Sequence, residues 1–394
     1  MAKLIDITGK CISGEWGLDD NDGTGIPVLR TTNFTNDGII NFSNVVTRQI
    51  NKKNLSDKYL KQGDIIIEKS GGSDNQPVGR VIYFDGQKNT YLFNNFTGLL
   101  RVADQTTWLP KYVFYALFAN YQNGGTKLFE NKTTGLHNLK TDSYVQSVDI
   151  KELSYEDQKH IVTFLDKITH LIFLRKQQLS KLDELVKSRF VELFGDPVTN
   201  EKNWPRLTLG DICEIGSSKR VFEKDYVPSG IPFFRTKEIV ELSKGNPIST
   251  ELFITEEHFA ELKKLYGAPK KDDLLISAVG TIGTIWIVSG DFEFYFKDGN
   301  LIQIKSSPTF NSIFMKYLLD ELIANYKKEM STGTAYSALT IAGLKKMLVY
   351  DVPLEFQEKF ATFVEQTDKS KFEIQKSLEK LETLKKALMQ KYFG

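Results

Sequence analysis

The sequence is poor in the residues and segments that mark secreted, membrane and metal-binding proteins. It has only two cysteines, Cys11 and Cys213, in 394 residues. Neither a disulfide framework nor a cysteine-rich zinc site is expected, and two reduced thiols in a cytoplasmic protein are the favoured interpretation. No apolar run approaches the roughly 20 residues that cross a bilayer. Because no long apolar stretch follows residues 1–6, we expect no signal peptide either.

Excess charge and catalytic motifs are also missing. The 51 basic and 50 acidic side chains give a net charge of +1, which argues against nucleic-acid binding by bulk charge but allows local basic loops. There is no Asn/Asp-Pro-Pro-Tyr/Phe tetrapeptide, no Gly-x4-Gly-Lys-Ser/Thr phosphate loop, and no pair of the four histidines at metal-ligand spacing. We therefore predict a protein without catalytic, metal or cofactor sites of its own. An enzyme with a cryptic methyltransferase or nuclease site is the alternative.

What the sequence does contain is an internal repeat. Residues 25–31 (Gly-Ile-Pro-Val-Leu-Arg-Thr) reappear as residues 230–236 (Gly-Ile-Pro-Phe-Phe-Arg-Thr), 205 positions later. Residues 194–195 (Phe-Gly) reappear as 393–394, 199 positions later. The offset drifts slowly along the chain, as loop insertions and deletions would make it do. A period this long indicates two copies of a domain, plausibly related by an approximate two-fold axis, and not a solenoid.

Each copy contains a mixed segment and a helical segment. The mixed segments hold short β-type runs, such as residues 64–67 and 274–276, and helical stretches near 111–121 and 312–328. We predict an α+β protein with two repeated α/β domains and two long helices. The predicted boundaries are 1–152 and 196–352 for the domains and 153–195 and 353–394 for the helices.

The two helical segments carry apolar residues at alternating spacings of three and four. The candidate coiled-coil and partner-docking residues are Ile161, Leu165, Ile168, Ile172, Leu179, Leu182 and Val186 in the first helix and Phe360, Val364, Ile374, Leu378, Leu381 and Leu388 in the second. A period of 3.5 residues over about four heptads predicts an antiparallel coiled coil about 55 Å long. The alternative is an amphipathic helix lying on a globular core. Charged residues, Arg175 and Arg189 in the first helix and Lys371 and Lys385 in the second, interrupt the apolar positions.

These motifs, in this order, resemble the specificity subunit of type I restriction–modification systems. The family's Gly-Ile-Pro-x-x-Arg-x-x-Asn/Asp strand is matched at 25–33 and less completely at 230–238, and its Pro-Leu-x-x-Gln helix start is matched at 353–357. The first copy lacks that proline, and the second has Glu238 where the first has Asn33. Because such differences fall mostly in recognition segments, the two domains are expected to read different half-sites.

The resemblance implies a fold, a function and partners. It implies two target-recognition domains separated by an antiparallel two-helix coiled coil with pseudo-two-fold symmetry, reading two blocks of double-stranded DNA. It implies two methyltransferase subunits, docked on the helices and using S-adenosylmethionine to methylate adenine N6. It also implies motor–nuclease subunits, which use ATP and Mg. None of these cofactors belongs to this chain, and a stand-alone bipartite DNA-binding protein is the alternative.

The candidate DNA-reading residues lie in polar, locally basic loops, because arginine pairs with guanine and asparagine or glutamine with adenine. In the first domain they are Arg30, Thr31, Asn33, Lys69, Ser70, Ser73, Arg80, Lys132, Thr134, His137 and Asn138. In the second they are Lys219, Arg220, Arg235, Thr236, Lys237, Ser277, Thr281, Thr284, Thr332, Thr334, Tyr336 and Ser337. Arg30 and Arg235 recur in both copies, so a shared structural salt bridge stays open as their alternative role. On the helices, lysines such as Lys380, Lys385 and Lys386 are expected on a solvated or partner-contacting face.

Overall fold

The computed structural model describes residues 1–52, 54–133, 136–249, 251–331 and 339–394. The chain forms two compact units. The first comprises residues 1–176 together with 376–394, and the second comprises residues 177–375. Among the residues described, no helix combines the length and the apolar character needed to cross a membrane.

Within the described ranges, the first unit is built from short strands, short helices and parts of the two long helices. Its helices are α1 (Leu4–Thr8), α2 (Pro110–Gln122), α3 (Thr141–Ser147) and the start of α4 (Tyr155–Phe194). Its strands are β1 (Ala2–Lys3), β2 (Ile12–Ser13), β3 (Leu18–Asp19), β4 (Ile26–Leu29), β5 (Val46–Gln49), β6 (Ile65–Glu68), β7 (Ser70–Gly72), β8 (Val81–Tyr83), β9 (Leu92–Phe93), β10 (Thr97–Leu100), β11 (Glu130–Thr133), β12 (Leu136–Leu139) and β13 (Asp149–Ile150).

The strands of the first unit form several small sheets. The central one has the antiparallel order β2-β10-β6-β8, and a second has the order β3-β5-β4-β9, in which β4 and β9 run parallel. Strands β11, β12 and β7 form a three-stranded ribbon. Successive residues of β6 point to opposite faces, as in any strand. Ile65 and Ile67 therefore join one buried cluster and Ile66 joins another.

The second unit repeats this plan with added helices. Its helices are α5 (Leu209–Ile212), α6 (Thr236–Ser243), α7 (Glu256–Tyr266), α8 (Ser312–Ser331), α9 (Ile341–Lys346) and α10 (Leu354–Phe393), which ends in the first unit. Its strands are β14 (Arg206–Thr208), β15 (Ile215–Gly216), β16 (Ile231–Phe234), β17 (Phe253–Ile254), β18 (Leu274–Ser277), β19 (Ile285–Ile287), β20 (Tyr295–Phe296), β21 (Leu301–Ile304) and β22 (Leu348–Tyr350).

The sheet topologies show that the repeat is structural. The order β15-β21-β18-β19 reproduces β2-β10-β6-β8, the parallel pair β16–β20 reproduces β4–β9, and β14–β22 reproduces β1–β13. The units differ after the Gly-Ile-Pro strand, where a 3-10 turn (Thr31–Asn33) follows β4 and the longer helix α6 follows β16. The predicted α+β fold with two repeated α/β domains is confirmed.

Each of the long helices spans 40 residues, as the heptad pattern predicts. In the second unit, Val186, Phe190 and Phe194 of α4 pack with Phe360 and Val364 of α10. The late part of α4 thus meets the early part of α10, so the helices are antiparallel there. In the first unit the early part of α4 and the late part of α10 enter one core together, which gives the same orientation.

The apolar positions predicted to form the helix seam are the buried or half-buried ones on both helices. Ile161, Leu165, Ile168 and Ile172 are buried, and Leu179 and Leu182 are half-buried. The outer ends of both helices also join the globular cores. At their outer ends, the helices therefore lie on a globular core, as the alternative interpretation expects. Where α4 and α10 contact each other, they pair as the coiled-coil prediction expects.

A buried glutamine fixes the start of each long helix. In the first unit, the Gln158 side chain accepts a hydrogen bond from the Leu109 amide (2.9 Å) and donates to the carbonyls of Thr107 (2.9 Å) and Leu153 (3.0 Å). In this way α4 is joined to the segment that begins α2. The residue has no solvent exposure, so each of these bonds satisfies a group that water cannot reach.

Candidate nucleic-acid interface

Two of the predicted DNA-reading loops of the first unit come together in the β7–β11–β12 ribbon. Asn138 of β12 pairs with Ser70 of β7, and His137 pairs with Lys132 of β11. The ribbon therefore places residues 69–73 beside residues 132–133 and 136–138, although about 60 residues separate them in the sequence. The Lys69 ammonium donates to the Ser13 hydroxyl (2.9 Å) at the edge of the neighbouring sheet.

Lys132 is the most exposed cation of this ribbon. Its side chain is 64% exposed, and its ammonium lies 2.8 Å from the Asp74 carboxylate. That contact raises the pKa of Lys132 and lowers the pKa of Asp74. A surface ion pair of this kind is weak and exchanges readily with other charges. Lys132 can therefore exchange Asp74 for another anion.

His137 takes an inward position in the same ribbon. It is 6% exposed, with Nδ1 3.4 Å from a Glu130 carboxylate oxygen and Nε2 3.6 Å from Asp74. Glu130 also accepts a hydrogen bond from the Val78 amide (2.8 Å). These contacts hold the ribbon to the segment 74–78, so His137 orients the loop and does not present its ring to solvent.

Arg80 is enclosed by three chain segments. Its guanidinium makes a two-bond contact with Glu68 (2.9 and 2.8 Å) and donates to the carbonyls of Phe34 and Thr31 (3.2 Å each). Glu68 is 1% exposed. A buried charge of this kind needs a charged partner. Arg80 therefore fastens the turn after β4 to β6 and β8, and it is not free to read bases.

Asn33 and Glu238 occupy equivalent places and make the same backbone contact. The Asn33 side-chain oxygen accepts from the Arg30 amide (2.8 Å), and the Glu238 carboxylate accepts from the Arg235 amide (2.8 Å). Asn33 also donates to two loop carbonyls, those of Asn41 (3.0 Å) and Asn44 (3.3 Å). Both residues are buried. The two copies therefore differ here in a buried side chain and not in a surface one. Asn33 is not placed to contact adenine.

The recurring arginines have different surroundings. The Arg235 guanidinium lies 2.8 Å from the buried Glu238 carboxylate, which is the structural salt bridge that the sequence left open. Arg30 forms no salt bridge within the described ranges, and its Nη2 donates to the Asn44 carbonyl at 3.4 Å. Arg235 remains one-third exposed, so it can still meet a ligand along one edge.

In the second unit, basic residues gather at the ends of the parallel strands β16 and β20. Phe234 pairs with Phe296 there, which places Arg235 and Lys297 side by side. Arg220 lies against the same corner, with Nε 3.1 Å from Asp298 and 65% of its side chain exposed. The exposed Lys219 and Lys237 complete this group, which we call the basic corner of the second unit.

The predicted serine and threonine positions 277–284 form an internally bonded turn. The Ser277 hydroxyl contacts the Thr281 carbonyl and accepts from the Thr284 amide (2.9 Å), and the Thr284 hydroxyl donates to Thr281 (3.1 Å). Ser277 is fully buried, whereas Thr281 is exposed. Two glycines of the turn have left-handed backbones, with φ of +78° at Gly280 and +81° at Gly283. Of the three predicted residues in this segment, Ser277, Thr281 and Thr284, the exposed one is Thr281.

Five of the predicted DNA-reading residues fall outside the part of the chain that the structure describes. They are Thr134, Thr332, Thr334, Tyr336 and Ser337. Thr236, on the first turn of α6, is half-buried, and Thr31 is half-buried in the turn after β4.

Some residues at these surfaces were missed by the sequence analysis. Asp74 and Asp298 pair with the exposed cations of the first and second unit. Lys297 stands beside Arg235 only because β16 and β20 run parallel. The register of two strands about 60 residues apart carries no local sequence signal, so these neighbours could not be identified without the fold.

The prediction that the apolar seam residues dock partners needs a correction, because the fully buried ones among them are covered. Ile161, Leu165 and Val186 are each buried and cannot contact another chain. The exposed apolar residues of the helices are a different set, which includes Phe164, Leu171, Phe173, Leu174, Leu185 and Val191 on α4 and Phe372 and Leu384 on α10. Exposed apolar groups at this density favour an interaction surface.

Within the described ranges, no group of three or more His, Cys, Asp or Glu side chains is arranged to hold a metal ion. Cys11 and Cys213 are free thiols. Burial raises the pKa of the Cys11 thiol to about 12, although the nearby Lys69 acts against the rise. Because nucleophilic cysteines need a low pKa, Cys11 is suited to packing and not to catalysis.

Comparison with known proteins identifies the family. The Type I restriction modification DNA specificity domain matches the chain twice, over residues 1–184 and 201–386. A putative type I restriction enzyme specificity subunit of Haemophilus influenzae is 27% identical over 230 residues, and the match covers 57% of this chain and 57% of that protein. The putative type I restriction enzyme MjaX specificity subunit of Methanocaldococcus jannaschii is 21% identical over 98% of this chain and 91% of its own length.

A solved structure has the same fold. The S subunit of the type I restriction–modification system from M. genitalium matches 100% of this chain and 95% of its own, with a TM-score of 0.61 and 17% identity. The duplicated α/β units and the long helices therefore have an experimental counterpart. The domain match, present once in each half of the repeat, covers most of the sequence. The chain belongs to the family of type I restriction–modification DNA specificity subunits, which are non-catalytic.

Proposed function

We propose that this chain reads a bipartite DNA target for a type I restriction–modification complex. The observation that carries the proposal is the duplication of one sheet topology, with a different set of exposed polar and basic side chains in each copy. In the first unit these side chains lie on the β7–β11–β12 ribbon, and in the second they form the basic corner. Two unlike surfaces suit two unlike blocks of sequence.

The side chains divide into those that would contact DNA and those that orient them. Lys132, Arg220, Lys219 and Lys237 are exposed cations, which suit phosphate oxygens and the acceptor atoms of guanine. Arg80 and Asn33 in the first unit and Glu238 in the second fix the loops. With a net charge of +1, the chain alone has little general attraction for DNA. We therefore expect tight binding only after partner subunits add their own contacts.

The exposed apolar residues of α4 and α10 are the proposed docking surface for two methyltransferase subunits. Those subunits would bring S-adenosylmethionine and methylate adenine N6, and motor–nuclease subunits would bring ATP and Mg. This chain would supply the sequence specificity and the positions of its partners. The two long helices would set the gap between the two blocks of the target, since each residue adds about 1.5 Å of helix.

A domain exchange tests the proposal. Residues 1–152 are replaced by those of another family member, the hybrid is expressed with the methyltransferase, and methylated adenines are mapped across a genome. We expect one block of the target to change while the other block and the gap stay the same. A change in both blocks would contradict the two-reader arrangement. Tight sequence-specific binding by the isolated chain would instead indicate a stand-alone DNA-binding protein.

A further inference from the structure

A large groove opens in the first unit where α2 and residues 36–39 approach the early part of α4 and the late part of α10. Its volume is about 810 Å³, and its apolar lining includes Ile39, Phe118, Ile172, Phe173 and Met389. A second hollow of about 430 Å³ continues it along α4 and shares Ile39 and Phe173. Nearly half of the Ile39 and Phe173 side chains is exposed, so the rim of the groove presents apolar surface to solvent.

One half-buried cation of the groove has no ionic partner among the described residues. Lys385 of α10 is half-buried and lines both hollows. Its ammonium lies 5.7 Å from the centre of the Phe118 ring, and no carboxylate of the described residues comes within ion-pair distance of it. Burial lowers the pKa of Lys385, and the nearby Asp37 opposes that effect. The sequence predicts this lysine on a solvated or partner-contacting face, and the solvated position is wrong because the side chain is half-buried.

Of the carboxylates that line the two hollows, Asp37, Asp166 and Glu382 are engaged in ion pairs, and Asp85 is exposed to solvent. The Lys176 ammonium lies 3.3 Å from Glu382 and 3.7 Å from Asp37. On the other side of the groove, Asp166 lies 2.9 Å from the Lys111 ammonium and accepts a hydrogen bond from the Tyr115 hydroxyl. The groove therefore keeps unneutralised positive charge at Lys385, and the exposed Lys386 adds to it at the rim.

The second unit has no such group at the equivalent position. Residue 186 precedes Lys385 by 199 positions, the same offset that relates Phe194 to Phe393. It is a valine, 2% exposed, and it belongs to the hydrophobic core of that unit. The buried cation is thus a property of one copy of the repeat, so duplication of the fold does not explain it.

We propose that this groove receives an acidic and apolar segment of one methyltransferase subunit, whose carboxylate pairs with Lys385. The inference rests on the proposed function and deepens it, because it makes the two docking sites unequal. Charge complementarity carries the choice of occupant, since a half-buried ammonium without a partner favours a carboxylate. The exposed apolar rim requires a ligand with apolar side chains as well, which a small inorganic anion does not have.

The test uses the full chain in complex with the methyltransferase. Lys385→Met keeps the length and apolar character of the side chain and removes its charge. Lys380→Met is the matched control, because Lys380 is an exposed lysine on the same helix. Native mass spectrometry gives the number of methyltransferase subunits bound, and titration calorimetry gives their affinities.

We expect Lys385→Met to weaken the binding of one of the two methyltransferases at least tenfold, so that complexes with a single methyltransferase accumulate. The melting temperature of the free chain should stay the same or rise, because an unpaired half-buried charge has been removed. The control should change neither quantity. Two equally tight sites in Lys385→Met would overturn the inference, as would a marked fall in its melting temperature.

A photo-reactive phenylalanine analogue in place of Phe173 identifies the occupant. Irradiation of the purified complex should link it to a methyltransferase peptide that contains Asp or Glu. A link to a second copy of this chain would overturn the inference while leaving the DNA-reading proposal intact. If the unmodified chain bound no methyltransferase at all, both the inference and the proposed function would fail.

Discussion

Gln158 and Gln357 hold the same place in the two units and make matching sets of hydrogen bonds. Gln158 accepts from the Leu109 amide and Gln357 accepts from the Asn311 amide, each at 2.9 Å. Gln357 donates to the carbonyls of Thr309 (3.4 Å) and Val352 (2.7 Å), as Gln158 does to their counterparts. Both glutamines are fully buried. The proline that precedes the second helix and is missing from the first is therefore not needed for this arrangement.

Removing either glutamine should loosen only its own unit. Gln158→Ala leaves one amide and two carbonyls without partners, and each buried unsatisfied group costs about 1–3 kcal/mol. Hydrogen exchange should accelerate at residues 107–112 in Gln158→Ala and at residues 309–314 in Gln357→Ala. The exposed Gln366 of α10 is the control, and its replacement by alanine should change neither segment. Equal acceleration in both segments from one substitution would contradict independent roles.

Replacing Arg80 alone should reduce the stability of the protein more than replacing both Arg80 and Glu68. Arg80→Thr leaves the Glu68 carboxylate buried without a partner, and we expect a loss of about 3–5 kcal/mol in the free energy of unfolding. The second unit has Ser277 and Thr284 at the corresponding strand positions, joined by hydrogen bonds. The double variant Glu68→Ser, Arg80→Thr should therefore be more stable than Arg80→Thr alone. Urea denaturation measures the free energy of unfolding of both variants. Equal losses in the single and the double variant would contradict a buried Glu68 charge that depends on Arg80.

The exposed cations should act on DNA through charge. Lys132→Ala and Arg220→Ala each remove one cation from a proposed DNA-facing surface. In the assembled complex, each should lower the slope of log K against log salt concentration by about 1, as the loss of one phosphate contact does. Fluorescence anisotropy over a series of KCl concentrations measures the slope. Lys376→Ala, at an exposed helix position, is the control, and an unchanged slope in the first two variants would remove these residues from the interface.

The last residues of α10 should stabilise the first unit. The Phe393 ring lies 5.3 Å from the ring of Tyr112 and packs on the core of that unit. Phe393→Ala should lower the free energy of unfolding by about 2–3 kcal/mol, near the lower limit for a core phenylalanine. Phe372→Ala is the control, since Phe372 lies on the same helix and is 65% exposed. Equal effects of the two variants would show that Phe393 has no role in the core.

The first unit should also contain an acid-sensitive turn. Hydrogen bonds from the hydroxyls of Thr106 and Thr107 lower the pKa of Asp104 to about 2. Because this pKa lies below its value in the unfolded chain, the carboxylate stabilises the turn fully above about pH 4. That stabilisation is lost as the pH falls through about 2. The difference in melting temperature between the unmodified chain and Asp104→Asn should therefore shrink between pH 5 and pH 2, and a constant difference would contradict the assignment.

The sequence predicted the repeat, the long helices and their buried faces, because each of these leaves a regular signal. Hydrophobic spacing placed Val186 and Phe360 on the inner faces, where the structure has them. It could not tell which polar side chains turn inward. Arg80 and Asn33 look like DNA-reading residues in the sequence, but partners on other segments hold them inside the fold. Such partners depend on strand register and loop path, which local composition does not encode.

Lys385 illustrates the same limit on a helix. Its heptad position predicted an interruption of the apolar face, and the lysine does point inward. What surrounds it depends on Phe118, more than 260 positions earlier in the sequence. No periodicity along one helix could indicate that neighbour.

The assignment of residues 376–394 to the first unit has a consequence for synthesis of the protein. A ribosome releases residues 1–176 long before it makes Phe393, which contacts Tyr112 in the finished core. The second unit, by contrast, is one continuous stretch of chain and has all of its residues before translation reaches position 376. The first unit therefore cannot complete its core until the last turns of α10 are synthesised. Until then its uncovered apolar surface is available to chaperones or to another nascent chain.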